Sequence, residues 1–465
     1  MPESAQPSPN RIAGSNKRKS SEPVARTSNY HQSVTANADP LRIGRIPICF
    51  FVVSVFFFLI GVCAMPFAAP YVAEFFYQAV VLAVVHTFTL GWITAAIMGV
   101  MYRYVPALTR VPIRWPRVAY AQLAIFAIGV SGMVAHFELG AWFGLWLAAI
   151  AVVISIIMFA ANLAPCLWAQ FGSGVAETGM MLALGFLITT ASLGTLLGID
   201  KTYDFLGGNV LTNISGHAHL AAIGWVTMSI CAVSYRMLPA FLLPTVPLPR
   251  HALWQLYALA ASVSALAVSL LFGLGGETIF AVTTAAALVW WVVIIGRMVA
   301  RRRMPLGWTP RHALAGIAGL AVAIALGIAL TLTGGDSYWG ARIAPGYALA
   351  GLLGFFSNFI IGMSYQLFPG FVACARQGRG WAAVTIAELS VMRTRWFVFG
   401  AFNAGVAVMI AGFMAGSLGT IQAGAILGAA GGAAYALTTM WTLSFAFRAA
   451  VPAAAAQSAL RILPE

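Results

Sequence analysis

Two histidines set inside long apolar runs are the residues here whose type and spacing could do chemistry. His86 and His219 each open a stretch of 21 residues, ending at Pro106 and Pro239. The two stretches align without a gap and share nine identities: His, Gly, Trp, Thr, Ile, Val, Tyr, Arg and Pro. Neutral imidazole is a common protein ligand for iron, copper and zinc. An ionisable side chain in a membrane-spanning helix must find a partner and points to function by default. The competing reading is a histidine bonded to a neighbouring Ser, Thr or carbonyl, which only glues helices together. Recurrence at matching positions favours ligation of a metal or of heme iron. His217, two residues before His219, lies about 200° away around a helix and cannot share a site with it unless that turn is distorted; the repeat selects His219 as the inward ring.

The elements that must carry these residues follow from composition. Of 465 residues, 61% are hydrophobic and 8% charged, with a mean hydropathy of +0.88. A soluble domain carries about 25% charged residues, so soluble enzymes, disordered chains and disulfide scaffolds are excluded. Continuous apolar runs also exclude a transmembrane barrel, whose strands alternate. Runs long enough to cross a ~30 Å hydrocarbon core predict twelve helices, centred near residues 58, 90, 127, 152, 186, 226, 263, 288, 322, 356, 406 and 434. Gly and Asn358 are expected to interrupt the tenth. The expected fold class is an all-α membrane protein in contact with the lipid bilayer. The five cysteines are scattered singly and read as apolar packing.

A fainter third copy of the repeat runs from Leu349 to Pro369, keeping Gly354, Ile360, Tyr365 and Pro369 but placing Leu349 where the histidine stands in the others. The copies are 133 and 130 residues apart. Twelve helices thus divide into three pseudo-threefold four-helix units, about 45–172, 173–305 and 306–450. Residues 1–44 read as a disordered tail and 451–465 as a second tail.

Charge supplies orientation. If the amino terminus is cytoplasmic, 24 of the 26 Lys and Arg fall on that side, and only Lys201 and Arg342 fall outside. The positive-inside rule then puts both termini in the cytoplasm and the protein in the cell's inner (plasma) membrane. The net charge of +14 is a topology signal and needs no nucleic acid. From His86 to Arg103, and from His219 to Arg236, is 17 residues, or ~25 Å of helix, so both imidazoles are expected at one level in the outer third of the membrane. Tyr102, Tyr235 and Tyr365 fit an interfacial aromatic belt, and Pro106, Pro239 and Pro369 are expected to end their helices. His136, beside Glu138, suits an interfacial hydrogen bond or a heme propionate contact; His31, His251 and His312 are expected to face solvent. The predicted spans hold no buried Asp, Glu or Lys of the kind a proton relay employs, and Glu177 reads as a favourable charge at a helix amino terminus.

Twelve helices in three units of four, with His86 followed by Gly99, Tyr102 and Pro106, resemble subunit I of the heme-copper oxidase superfamily over about residues 45 to 450. The flavour is that of its nitric oxide reductase and C-type oxidase branches and of the NnrS-type heme-copper membrane proteins. By that resemblance His86 falls on the axial ligand of a low-spin heme, b-type in expectation, and His219 or His217 on a ligand of the active-site metal, copper in expectation. The superfamily's histidines on helices 7 and 10 have no counterparts, because no histidine occurs between Ala252 and Arg311 or after Ala313. The resemblance therefore implies an oxidoreductase-like protein with a degenerate site, a role in redox, nitric oxide or metal handling, and respiratory or assembly subunits as partners. A cofactor-free transporter or assembly factor on the same scaffold is the alternative.

Orientation is directly testable. A green fluorescent protein fused to the carboxyl terminus is expected to fluoresce and an alkaline phosphatase fused there to be inactive; the opposite pair of results would overturn the cytoplasmic assignment.

Overall fold

The computed structural model describes residues 45–449 except Gly208 and Asp336. The expected tails, with His31, lie outside the described residues. Twelve helices there are long and apolar enough to cross a membrane, and no strand accompanies them among the described residues. They are α1 Ile46–Glu74, α2 Ala79–Thr109, α3 Pro116–Glu138, α4 Leu145–Trp168, α5 Val175–Tyr203, α6 Val210–Leu242, α7 Ala252–Phe272, α8 Glu277–Ala300, α9 Trp308–Thr333, α10 Tyr338–Gln377, α11 Arg395–Ala415 and α12 Leu418–Ser444. Each expected centre falls in one of them. The chain is an all-α, multi-pass membrane protein, since only helices or closed barrels satisfy the backbone within hydrocarbon.

Helices α2, α6 and α10 are the inner ones. In their most apolar windows 56%, 67% and 61% of residues are buried, a level matched by α1 at 56%, against 22% in α5 and α9. All three share an unusual construction, in which an α-helical stretch passes into eight residues of π-helix and back. The π segments are Thr87–Thr94, Leu220–Thr227 and Ala350–Ser357, beginning immediately after His86, His219 and Leu349 and repeating the 133- and 130-residue spacings. π turns are rare and concentrate at functional positions. Each adds a residue to its turn, so the face presented before it is offset from the face presented after it.

Two buried indoles tie the inner helices together. Trp225 of α6 donates from Nε1 to Thr94 Oγ1 of α2 at 3.1 Å, and Trp92 of α2 donates to Ser357 Oγ of α10 at 3.3 Å. Thr94, Thr227 and Ser357 occupy one matching position, and Trp92, Trp225 and Phe355 another. At the third contact Phe355 has no N–H to give, and Thr227 turns its hydroxyl to Ala222 O, 2.8 Å away, within its own helix. Around this centre each inner helix packs closely on the helix that precedes it by one. A Cβ on Gly91 would collide with Phe57 of α1, one on Gly224 would sit 2.6 Å from Phe186 Cγ of α5, and one on Gly354 would sit 3.3 Å from Gly319 Cα of α9.

Three expectations about these helices are corrected. α10 is continuous over 40 residues; Asn358 does not break it, because its amide donates back to Gly354 O at 2.8 Å. Pro106, Pro239 and Pro369 lie inside their helices, which continue to Thr109, Leu242 and Gln377; packed neighbours compensate for the one backbone bond a proline forfeits. Tyr102 and Tyr235 do not line the interface. They are 0% and 2% exposed, with hydroxyls donating to buried Gln122 Oε1 of α3 (3.2 Å) and Gln255 Oε1 of α7 (2.7 Å). A buried hydroxyl needs a partner, and the glutamines supply it.

Gly224→Val places two methyl groups where Phe186 now packs and is expected to cost about 1–3 kcal/mol. Thermal unfolding in detergent should show a lowered midpoint, and an unchanged one would show that this contact is slack.

Candidate functional site

His86 and His219 each occupy the last residue of the α-helical stretch before a π segment. At both, Nδ1 contacts the carbonyl four residues earlier, Leu82 O at 2.7 Å and Ser215 O at 2.7 Å. A carbonyl can only accept, so Nδ1 carries the proton and Nε2 of the neutral ring presents a lone pair. This is the tautomer in which an imidazole can bind a metal through Nε2 while the other nitrogen is held by a second partner. Neither ring is sealed off, since both keep part of their surface accessible although they belong to inner helices.

The two rings have different neighbours. His217 of α6 lies close enough to His86 of α2 for the rings to interact electrostatically, with its far side against α5, where a Cβ on Gly194 would be 2.7 Å from His217 Cε1. His217 Nδ1 is buried with no hydrogen-bond partner. The His86 ring packs against Phe137 of α3, with centroids 4.7 Å apart and planes tilted by 36°. His219 instead accepts at Nε2 from the Tyr347 hydroxyl of α10, 3.2 Å away, with the ring planes 25° apart.

These pairs follow one register. Val84, His217 and Tyr347 share one matching position, and His86, His219 and Leu349 share the other, by the same 133- and 130-residue offsets. His217 meets His86 and Tyr347 meets His219; at the remaining combination stand Val84 and Leu349, both packed against the apolar core. Tyr347 was not among the sequence candidates. The aligned repeat could have found it, since it is the third copy's counterpart of His217.

No three His, Cys, Asp or Glu side chains converge on a point among the described residues, so the histidines offer one or two ligands at a time and no three-imidazole centre. His136, like the inner pair, is held by the carbonyl four residues earlier, Gly132 O at 2.8 Å. Two of the histidines expected in solvent are corrected. His312 is fully buried, with Nδ1 on Asn358 Oδ1 at 2.9 Å, because α9 begins there and its first turn packs on Gly362 of α10. His251 is half-buried and accepts from Trp290 Nε1 at 2.9 Å. Glu177 is buried in the first turn of α5.

Tyr347→Phe removes only the hydroxyl that occupies His219 Nε2. Modification of His219 by diethyl pyrocarbonate, followed by mass spectrometry, is expected to accelerate several-fold with His86 unaffected; equal rates would mean that the contact does not shield the ring.

No protein-family model matches this chain, and no curated protein matches it. Among solved structures, its fold is similar to that of a heme-copper terminal oxidase whose dimer was described by cryo-electron microscopy, with a TM-score of 0.55 and 13% identity over 92% of this chain and 85% of that one.

Proposed function

We propose that this chain is a heme-copper-oxidase-like membrane protein that binds heme, copper or both through the inner-helix histidines, with a role in redox, nitric oxide or metal handling. The observation that carries the reading is the shared state of His86 and His219: Nδ1 pinned by a carbonyl and Nε2 presented as a lone pair beside the next inner helix. His86 would hold a heme iron, b-type by resemblance, with His217 beside it; His219 or His217 would hold copper, His219 by releasing the Tyr347 hydroxyl that now occupies its Nε2. Bound heme or copper would supply one-electron chemistry. The chain's own part is to orient Nε2, through the carbonyls of Leu82 and Ser215, and to shield the site with Phe137 and Tyr347. The same reading includes three four-helix units, a plasma-membrane location with cytoplasmic termini, and respiratory or assembly subunits as partners.

A complete oxygen-reducing centre does not belong to this reading, because the ligand histidines expected on α7 and α10 are absent from the sequence and no three-ligand cluster forms among the described residues. That same observation favours the second reading, a cofactor-free transporter or assembly factor on this scaffold.

The test is a reduced-minus-oxidised optical spectrum of the purified protein with iron and copper analysis. A Soret band or stoichiometric metal is expected, altered in His86→Ala and in His219→Ala. Absence of both leaves the second reading, and a spectrum unchanged in both variants would refute the ligand assignment.

A further inference from the structure

Away from the histidines, at the arginine-rich end of the helices, positive charge gathers around one indole. Trp381, in the loop after α10, has three guanidinium groups against its ring. The central carbon of Arg379 is 5.0 Å from the ring centroid, that of Arg376 5.6 Å and that of Arg45 5.7 Å. Arg45 also lies over Phe447 at 4.8 Å, and Arg448 over Phe445 at 4.2 Å. Arginines from the start of α1, the end of α10 and the segment after α12 therefore meet at one place. A guanidinium stays charged at any physiological pH, so the attraction of each for an aromatic face holds together charges that repel one another.

The protein's own carbonyls serve only the innermost of these charges. Arg376 is fully buried and donates to Ala382 O (3.2 Å), Phe445 O (3.0 Å), Arg448 O (2.9 Å) and Ala449 O (3.0 Å), which fastens the loop and the segment after α12 to the end of α10. Arg45 keeps Nε and Nη2 buried with no hydrogen-bond partner, while Arg379 and Arg448 are exposed. No acidic side chain is paired with Arg45, Arg379 or Arg448 among the described residues. An exposed apolar strip leads to the same place. Leu437 and Trp441 of α12, one helical turn apart, are 60% and 40% exposed. The Trp441 ring meets Phe445 edge-on at 4.9 Å, and Phe445 lies under Arg448. Apolar surface inside the span is thus continuous with exposed positive charge at its end.

We propose that this end of α1, α10 and α12 is a docking site for an anionic phospholipid, its phosphate against the exposed guanidiniums of Arg379 and Arg448 and an acyl chain along Trp441 and Leu437. Guanidinium and phosphate match in fork geometry and charge, and basic groups at the ends of membrane spans attract acidic headgroups. The lipid supplies the counter-charge that Arg45, Arg379 and Arg448 lack. The test titrates delipidated full-length protein in maltoside micelles with phosphatidylglycerol, and in parallel with phosphatidylcholine, and reads bound lipid by native mass spectrometry. Saturable binding that prefers phosphatidylglycerol is expected. Replacing both Arg379 and Arg448 by Gln is expected to weaken it about tenfold or more, and Arg379→Gln alone about fivefold. Arg303→Gln, which removes an exposed charge from the loop after α8, measures what any lost positive charge does. Equal binding of the two lipids, or a loss in the double variant no greater than in Arg303→Gln, would overturn the proposal; should the double variant fail to fold, Arg379→Gln set against Arg303→Gln decides it.

Discussion

A polar group inside hydrocarbon has no water to fall back on, and the arrangement of the inner helices depends on how that constraint is met. Trp92 and Trp225 each carry one N–H into the centre of the molecule, where the acceptors provided are the hydroxyls of Ser357 and Thr94 on a neighbouring inner helix. Because each bond joins different helices, satisfying it fixes which faces of α2, α6 and α10 meet. The outer helices then close around them, α5 and α9 at glycines and α1 through aromatic side chains such as Phe57, at distances that leave no room for a larger residue opposite.

The π segments determine what the inner helices present at the opposite end from the arginines. Each begins just after the residue at the histidine position, so the rings on its amino-terminal side look out at a different angle from the side chains beyond it. His219 meets Tyr347 across one of the contacts between inner helices, and His217 lies near His86 at the matching position of another. The third contact has lost both its polar pair at the membrane's centre and its histidine. Phe355 replaces the tryptophan, and Leu349 faces the level of Val84 where the other contacts carry polar rings. The recurrence among the three inner helices is therefore one of backbone and packing, with histidine at the matching position in α2 and α6 and leucine in α10.

Polar groups gather elsewhere around α10, which has leucine at the histidine position. His312, Asn358 and Asn403 form a buried chain, with Asn358 receiving His312 Nδ1 at 2.9 Å and donating to Asn403 Oδ1 at 2.9 Å. The ring of His312 lies 5.6 Å from Tyr365, which in turn lies under Arg395. The two ends of the bundle differ in composition, with His86, His217 and His219 at one and a cluster of arginines at the other.

The twelve helices, by number and centre, and the recurrence around His86 and His219 were legible in the sequence, because hydrocarbon thickness and hydrophobic run length are local quantities that a one-dimensional pattern records. The likeness of α2 to α6 was equally legible, down to the tyrosines. Their direction was not: Tyr102 and Tyr235 look like interfacial residues until Gln122 and Gln255, on other helices, are seen to take their hydroxyls. The same holds for His312, which sits in what reads as a loop until Asn358 and the close approach at Gly362 are in place, and for Tyr347, whose importance comes only from its contact with His219. The sequence by itself determined that the chain spans a membrane through twelve helices and which histidines recur. Only the tertiary structure decided which polar side chains meet, because a hydrogen bond between helices depends on rotation about each axis, and the π segments change that rotation without marking the hydrophobic pattern.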